Sequence, residues 1–189
     1  MESKIISNDN KKTLRVLVGA EAFGFGPCSK LISIVKKLKA DRREIIIDFI
    51  GDGSSLNFAL QNDSLFNNVW EYEGSYPDSK NYHYVLSVMN PYLALWGWFH
   101  KKQVIYIDSL YWFWSFEEDK FQHIENVLNE LVNVRSHEEI WAITKNIRDH
   151  HLHYLAHKIS NLSCAQLFID NDDKTTDWRM RRKSASCSK

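Results

Sequence analysis

Arg15 to Lys39 reads RVLVGAEAFGFGPCSKLISIVKKLK, and the fold follows from it. RVLVGA is a short β-branched run that breaks at the glycine-bearing loop EAFGFGP. In the CSKLISIVKKLK that follows, Leu31, Ile34, Val35 and Leu38 fall at i, i+3, i+4 and i+7, while Lys30, Lys36, Lys37 and Lys39 mostly take the other face. Helical periodicity of this kind marks an amphipathic helix. Strand, glycine loop and helix therefore follow in order.

The same unit recurs downstream. EIIIDFI from Glu44 leads through GDGSS into a helix LNFALQN, for which Ser54 or Ser55 is the expected cap. YHYVLSV from Tyr82 leads into NPYLALWGWFHKK, with Asn90 as the cap and Pro91 at the first helical position. A fourth strand, QVIYID, runs from Gln103, and NNVWEY from Asn67 reads as a short extra strand before the loop EGSYPDSKN.

Strands that are apolar throughout, alternating with helices, belong to a parallel sheet buried on both faces. The expected fold is α/β: a doubly wound, mainly parallel sheet with helices on both faces, in a single domain spanning 14–169. Residues 1–13 are expected to be a flexible segment. Ligands of such sheets bind beyond the carboxyl ends of the strands. That directs attention to four loops: Ala20–Pro27, Gly51–Ser55, Met89–Pro91 and Asp108–Trp114.

The second half reads as helical. SFEE from Ser115 and SHEE from Ser136 have the form of capping boxes. DKFQHIENVLNELVN places Phe121, Ile124, Leu128 and Leu131 on one stripe; DHHLHYLAHKISNL turns Leu152, Leu155, Ala156 and Ile159 inward, with Asp149 as cap. CAQLFI from Cys164 suits a last strand. The remainder, 170–189, has no periodicity and ends in a basic run containing serines, so a disordered tail is expected.

Composition narrows the function classes. A chain of 189 residues with 44% hydrophobic residues buries about 70% of its unfolded surface and needs no staples. Its 24 Lys and Arg balance 24 Asp and Glu, so no global positive field favours a nucleic acid. Three cysteines at wide spacing support neither a disulfide framework nor a zinc knuckle and suit a reducing, cytoplasmic compartment. No apolar run is long enough for a signal peptide or a membrane span, so no transmembrane segment is expected.

Several residues suit chemistry. The loop holding Gly24, Phe25 and Gly26 would present backbone amides at a helix N-terminus, where the dipole favours phosphate or carboxylate; the alternative is a tight turn alone. Its spacing leaves the dinucleotide pattern G-x-G-x-x-G incomplete at Ser29. Glu21, in the same loop, is a candidate general base, the alternative being a solvated loop charge. Cys28, near the first turn of the helix, suits packing better than nucleophilic chemistry, because no histidine adjoins it in sequence.

His153 and His157 give H-x-x-x-H, a spacing that can chelate zinc. Tyr154 stands where a zinc protease carries glutamate, so a solvated polar face on that helix is expected and no metal. Tyr111, Trp112, Phe113 and Trp114 are contiguous at a strand end, suiting core packing, a stacking surface for a sugar or base, a domain interface or a membrane-proximal patch.

Across RVLVGAEAFGFGPCSKLISIVKKL, IIIDFIGDGSSLNFALQN and YVLSVMNPYLALWGWFHKKQVIYIDSLYWFW, the chain resembles the N-terminal half of a bacterial GT-B-type glycosyltransferase, within the group around cytosylglucuronate synthase. The resemblance runs from about Leu14 to Phe168. It implies a Rossmann-like domain that binds the acceptor, facing a second domain that binds the nucleotide-sugar. It places the loop Glu21–Pro27 at the cleft, with Glu21 where family members often carry a histidine or aspartate base. By position, Asn90 and Asp108 match cleft-facing loops that bind acceptor hydroxyls.

On this reading the donor domain is missing, so the chain is expected to be a truncated enzyme, inactive alone and needing no cofactor of its own. Its partners are the nucleotide-sugar and small-molecule acceptor of the parent enzyme, and either a separate donor-domain subunit or a second copy of itself. A noncatalytic binding module that pairs with another chain is the alternative. A nucleotide-binding oxidoreductase ranks behind both, given the incomplete glycine pattern.

Overall fold

The computed structural model describes residues 13–23, 25–41, 44–108, 121–147, 149–166 and 178–182. The strands are β1 (Leu14–Ala20), β2 (Ile45–Gly51), β3 (Asn68–Glu71), β4 (Tyr84–Val88), β5 (Gln103–Asp108), β6 (Leu162–Gln166) and β7 (Trp178–Arg182). The helices are α1 (Gly26–Asp41), α2 (Gly53–Leu60), α3 (Pro91–Phe99), α4 (Phe121–Leu131), α5 (His137–Thr144) and α6 (Asp149–Ile159). The strands form one sheet in the order β3-β2-β1-β4-β5-β6-β7. All pairings from β3 to β6 are parallel, and β7 joins β6 antiparallel.

This is a Rossmann-like α/β fold. Strand order reverses direction between β1 and β4, which pair directly from Val16 with Tyr84 to Ala20 with Val88. Two successive connections therefore leave in opposite senses and open a crevice at the carboxyl ends of these two strands.

Alternation along each strand explains the burial of both faces. Val16, Val18 and Ala20 of β1, Leu86 and Val88 of β4 and Ile107 of β5 pack with Cys28, Leu31 and Val35 of α1. The intervening Leu17, Val85, Val104 and Tyr106 pack on the opposite face with Leu93, Ala94 and Trp96 of α3 and Ala156 of α6. A third apolar cluster joins α3 to the later helices through Leu95, Ile124, Val127, Leu131, Ile140, Leu152 and Leu155.

Gly19 is required by close approach. A β-carbon there would stand 2.6 Å from Leu93 Cδ2 and 2.7 Å from the Ile50 carbonyl oxygen. The absence of a side chain lets α3 come down onto β1 beside the crevice.

Local signals are largely realised, with informative departures. Asn90 caps α3 by accepting from Leu93 N at 3.0 Å, with Pro91 beginning the helix. Ser136 caps α5 by accepting from Glu139 N at 3.2 Å. The Glu139 carboxylate accepts from Arg135 N at 2.8 Å, one residue earlier than a capping box requires.

At α2 the N-cap is Asp52 and neither expected serine fills that role. Ser55 Oγ instead donates to Asp52 O at 2.8 Å, and Ser54 Oγ donates to Ala22 O, tying two carboxyl-edge loops together. Within 170–189, Trp178–Arg182 forms β7 on β6, because an edge strand offers backbone partners whatever the side chains of the segment that pairs with it. The rest of that segment, the segment 1–12 and the aromatic run Tyr111–Trp114 lie outside the described residues.

Midway along β2, Asp48 is fully buried and is satisfied from three elements. Its carboxylate accepts from Arg15 Nε at 3.0 Å, Asn68 Nδ2 at 2.8 Å and Tyr82 Oη at 3.0 Å, so β1, β2, β3 and the approach to β4 share one charge. Removing one partner of a buried ion pair strands the other. Asp48→Ala is expected to cost about 3 kcal/mol of stability and Tyr82→Phe about 1 kcal/mol, measured by urea denaturation.

Candidate functional site

The crevice at the carboxyl edge is built by four connections. Glu21 is the first residue beyond β1, and its backbone N–H donates to Val88 O of β4 at 2.9 Å, closing the sheet at the point where strand order reverses. Its side chain turns back so that Oε1 accepts from Ala22 N at 3.1 Å. Phe25 and Gly26 follow at the start of α1, Phe25 being 65% exposed. No atom lies within 4 Å of where a Gly26 β-carbon would be, so the helix begins in open space. Gly24 lies outside the described residues.

Beyond β4 the chain turns through Met89, a buried residue with φ of 58°. A side chain is seldom found in the left-handed region, and the arrangement costs about 1 kcal/mol or more unless its surroundings enforce it. Two bonds do so here. Met89 N donates to Ile107 O at 2.8 Å, and the buried Ser87 Oγ donates to Asn90 O at 2.5 Å. The turn sets Asn90 at the crevice, although its side-chain oxygen is engaged in capping α3.

Asp108 ends β5 and is fully buried. Its Oδ2 accepts from His157 Nε2 of α6 at 3.1 Å. Lys30, the fifth residue of α1, lies close enough for its charge to interact with Asp108; burial lowers the ammonium pKa and Asp108 partly restores it.

An aromatic wall stands beside these groups. Tyr76 packs against Tyr72 at 4.8 Å and Trp96 at 5.2 Å between ring centres, with His137 edge-on at 5.9 Å. Burial raises the Tyr76 phenol well above its ordinary value, helped by the nearby Tyr72, Asp52, Glu21 and Tyr92. Burial and then Asp52 raise Tyr72 in the same direction. The wall therefore sets neutral phenols beside the carboxylates of Asp52 and Glu21. Tyr92 stacks on Trp141 at 4.5 Å further along.

Glu21, Phe25, Gly26, Asn90 and Asp108, all singled out from the sequence, thus belong to connections on one edge of the sheet. Tyr72, Tyr76, Lys30 and His157 were not anticipated there. The available signal was a pair of tyrosines four residues apart, Tyr72 just before EGSYPDSKN and Tyr76 within it, in a segment that reads only as a loop.

The expected solvated face of α6 is corrected. His153 is 6% exposed and the His157 side chain 10%, both turned onto β5, because α6 packs on α3 and the sheet and leaves that face no solvent. Among the described residues no group of three or more His, Cys, Asp or Glu is arranged to hold a metal ion. No helix among them is long and apolar enough to cross a membrane. No family model matches the chain, and no curated protein or solved structure matches it significantly.

Cys28 is fully buried, with Sγ donating to Ser55 O at 3.4 Å, and burial pushes its thiol up to about 11. Iodoacetamide at pH 8 is expected to leave Cys28 unmodified in the folded chain and to label it in urea, as read by peptide mass spectrometry. The raised phenols of Tyr76 and Tyr106 give a second expectation. Each favours the folded state fully below its unfolded value near 10, and that contribution is lost as pH rises above it. The melting temperature should therefore fall above about pH 10, and Tyr106→Phe should lessen the fall.

Proposed function

We propose that the chain is the acceptor-side Rossmann-like domain of a glycosyltransferase whose donor is a nucleotide-sugar. The observation that carries this reading is the convergence of Glu21, Asp52 and the Tyr72–Tyr76 wall on the crevice between β1 and β4. Rings and carboxylates together suit a small polar ring, which stacks on one and donates hydrogen bonds to the other. The start of α1, with Lys30 at its fifth position, supplies backbone amides and a positive charge suited to a phosphate.

In the proposed reaction Glu21 takes the proton from the acceptor hydroxyl or ring nitrogen. The freed electron pair attacks the anomeric carbon, the bond to the nucleotide diphosphate breaks, and the diphosphate departs with that bonding pair. The donor would be held chiefly by a second domain, in the same chain or a separate subunit, because transfer needs both substrates held in line.

A second reading, a noncatalytic module that pairs with another chain, draws on Phe23 and Phe25, which are 56% and 65% exposed at the mouth of the crevice. Large apolar side chains grouped in this way suit a protein contact.

Calorimetry or ligand-observed NMR with cytosine and with UDP-sugars separates the two readings, performed with and without the product of any neighbouring gene. Acceptor binding by the chain alone, with turnover when a donor-binding partner is added, is the expected result; Glu21→Gln should then lower turnover by about 100-fold or more. Absence of binding to either ligand, together with self-association lost in Phe25→Ser, would favour the interaction module.

A further inference from the structure

Burial raises the phenols of Tyr76, Tyr82 and Tyr106, and two of the three are satisfied within the chain. Tyr82 Oη donates to Asp48 Oδ2 at 3.0 Å, and Tyr106 Oη lies 2.5 Å from His153 Nδ1. Among the described residues nothing hydrogen-bonds the Tyr76 hydroxyl, whose residue makes ring contacts with Tyr72, Trp96 and His137. A hydroxyl removed from water and left without an acceptor is costly, and native structures keep few.

The charges that reach this phenol show which way it faces. They are the carboxylates of Asp52 and Glu21, which belong to the connections beyond β2 and β1, so the hydroxyl is turned to the carboxyl edge and its crevice.

Backbone bonds hold Asp52 beside the wall. Tyr72 N donates to Gly51 O at 2.9 Å, extending the ladder between β2 and β3 one step past the pair Gly51 and Glu71. Tyr72 is thereby set next to Asp52, and its ring carries that of Tyr76 at 4.8 Å. After Asp52 the chain turns through Gly53 with φ of 50°, and Ser54 Oγ ties it to Ala22 O. Asp52 is the N-cap of α2 with extended backbone, the position from which a carboxylate ordinarily accepts from helix amides. It makes no such bond, and the residue is exposed.

We propose that Tyr76 and Asp52 make a two-point contact that sets the specificity of the crevice: Tyr76 Oη donates to an acceptor atom on the edge of a planar ligand, and the Asp52 carboxylate accepts from an N–H or O–H beside that atom. The ligand class is a heterocycle with a ring nitrogen or carbonyl next to an amino group, lying against the half-buried ring of Tyr72. A ring with the amino group alone leaves the phenol unpaired and is disfavoured for that reason. The crevice as a ligand site rests on the functional reading above; the two-point contact does not require glycosyl transfer.

The test is a ligand-observed NMR titration of the full chain at pH 7 with 2-aminopyrimidine and with aniline, in the wild type, Tyr76→Phe and Asp52→Ala. The two uncharged probes share a shape and an amino group, but only 2-aminopyrimidine has ring nitrogens beside it. Tyr76→Phe should weaken 2-aminopyrimidine about fivefold and leave aniline unchanged, whereas Asp52→Ala should weaken both about tenfold. Equal weakening of the two probes in Tyr76→Phe would leave ring packing as the whole role of Tyr76 and overturn the proposal. Unchanged binding in Asp52→Ala, or a wild type that does not prefer 2-aminopyrimidine, would do the same.

The melting temperature gives a check without ligand. Tyr76→Phe should leave it unchanged or raise it, in contrast to Tyr82→Phe, because no internal hydrogen bond is lost. A fall as large as that in Tyr82→Phe would mean that the hydroxyl is already satisfied in the free protein, which also overturns the proposal. Cytosine separates this inference from the functional reading. If 2-aminopyrimidine binds with the expected dependence on Tyr76, but cytosine receives no sugar when a donor-binding partner is added, the transferase reading fails and the two-point contact stands.

Discussion

Burial of both faces of a parallel sheet is the constraint on which this molecule depends. Once α1 and α2 cover one side and α3 and α6 the other, most strand positions must be apolar and nearly every backbone polar group must be used in the ladder. A polar side chain buried between the layers then needs partners. Asp48, midway along β2, has three donors that make it a junction among strands. The carboxyl end takes Glu21, Asp52, Asn90 and Asp108, distributed over successive connections.

The strand interior and the carboxyl edge use charge differently. Asp48 is enclosed by an arginine, an amide and a phenol, and its carboxylate has a partner from each neighbouring element. At the carboxyl edge, Asp52 acts on the phenols of both Tyr72 and Tyr76, and Glu21 on that of Tyr76. Asp108 is buried like Asp48 but ends β5 at the carboxyl edge. The left-handed Met89 occurs where β4 ends beside the reversal of strand order, and a second left-handed residue, Lys101, leads into β5 at the other end of the sheet. Close approach concentrates at that reversal: Gly19 admits Leu93, and Ser54 ties the β2 connection to the β1 loop.

Much of the fold was legible in local pattern. The run from Arg15 to Lys39 carries its strand in β-branched residues and its helix in 3.6-residue periodicity, both imposed by nearest neighbours along the chain. Asn90 and Pro91 announce α3 by capping chemistry confined to four residues. Ser54 and Ser55 misdirect for a related reason, because a serine hydroxyl satisfies a nearby carbonyl as readily as a helix N-terminus. The histidines of α6 misdirect more seriously. Their spacing looks like a polar stripe, and only the covering of α6 by α3 and the sheet turns that stripe inward.

Taken by itself, the amino-acid sequence determined the alternation of strands and helices, the burial of both sheet faces and the loops at which polar residues collect, because each is a property of periodicity or of a few adjacent residues. The pairing of β1 with β4, the meeting of Asp108 with His157 across 49 positions of chain, and the enclosure of Asp48 by Arg15, Asn68 and Tyr82 were decided only by the tertiary structure. Contacts between distant residues depend on which elements become neighbours in the sheet. That order is selected by the packing of whole surfaces and leaves no mark at any one position.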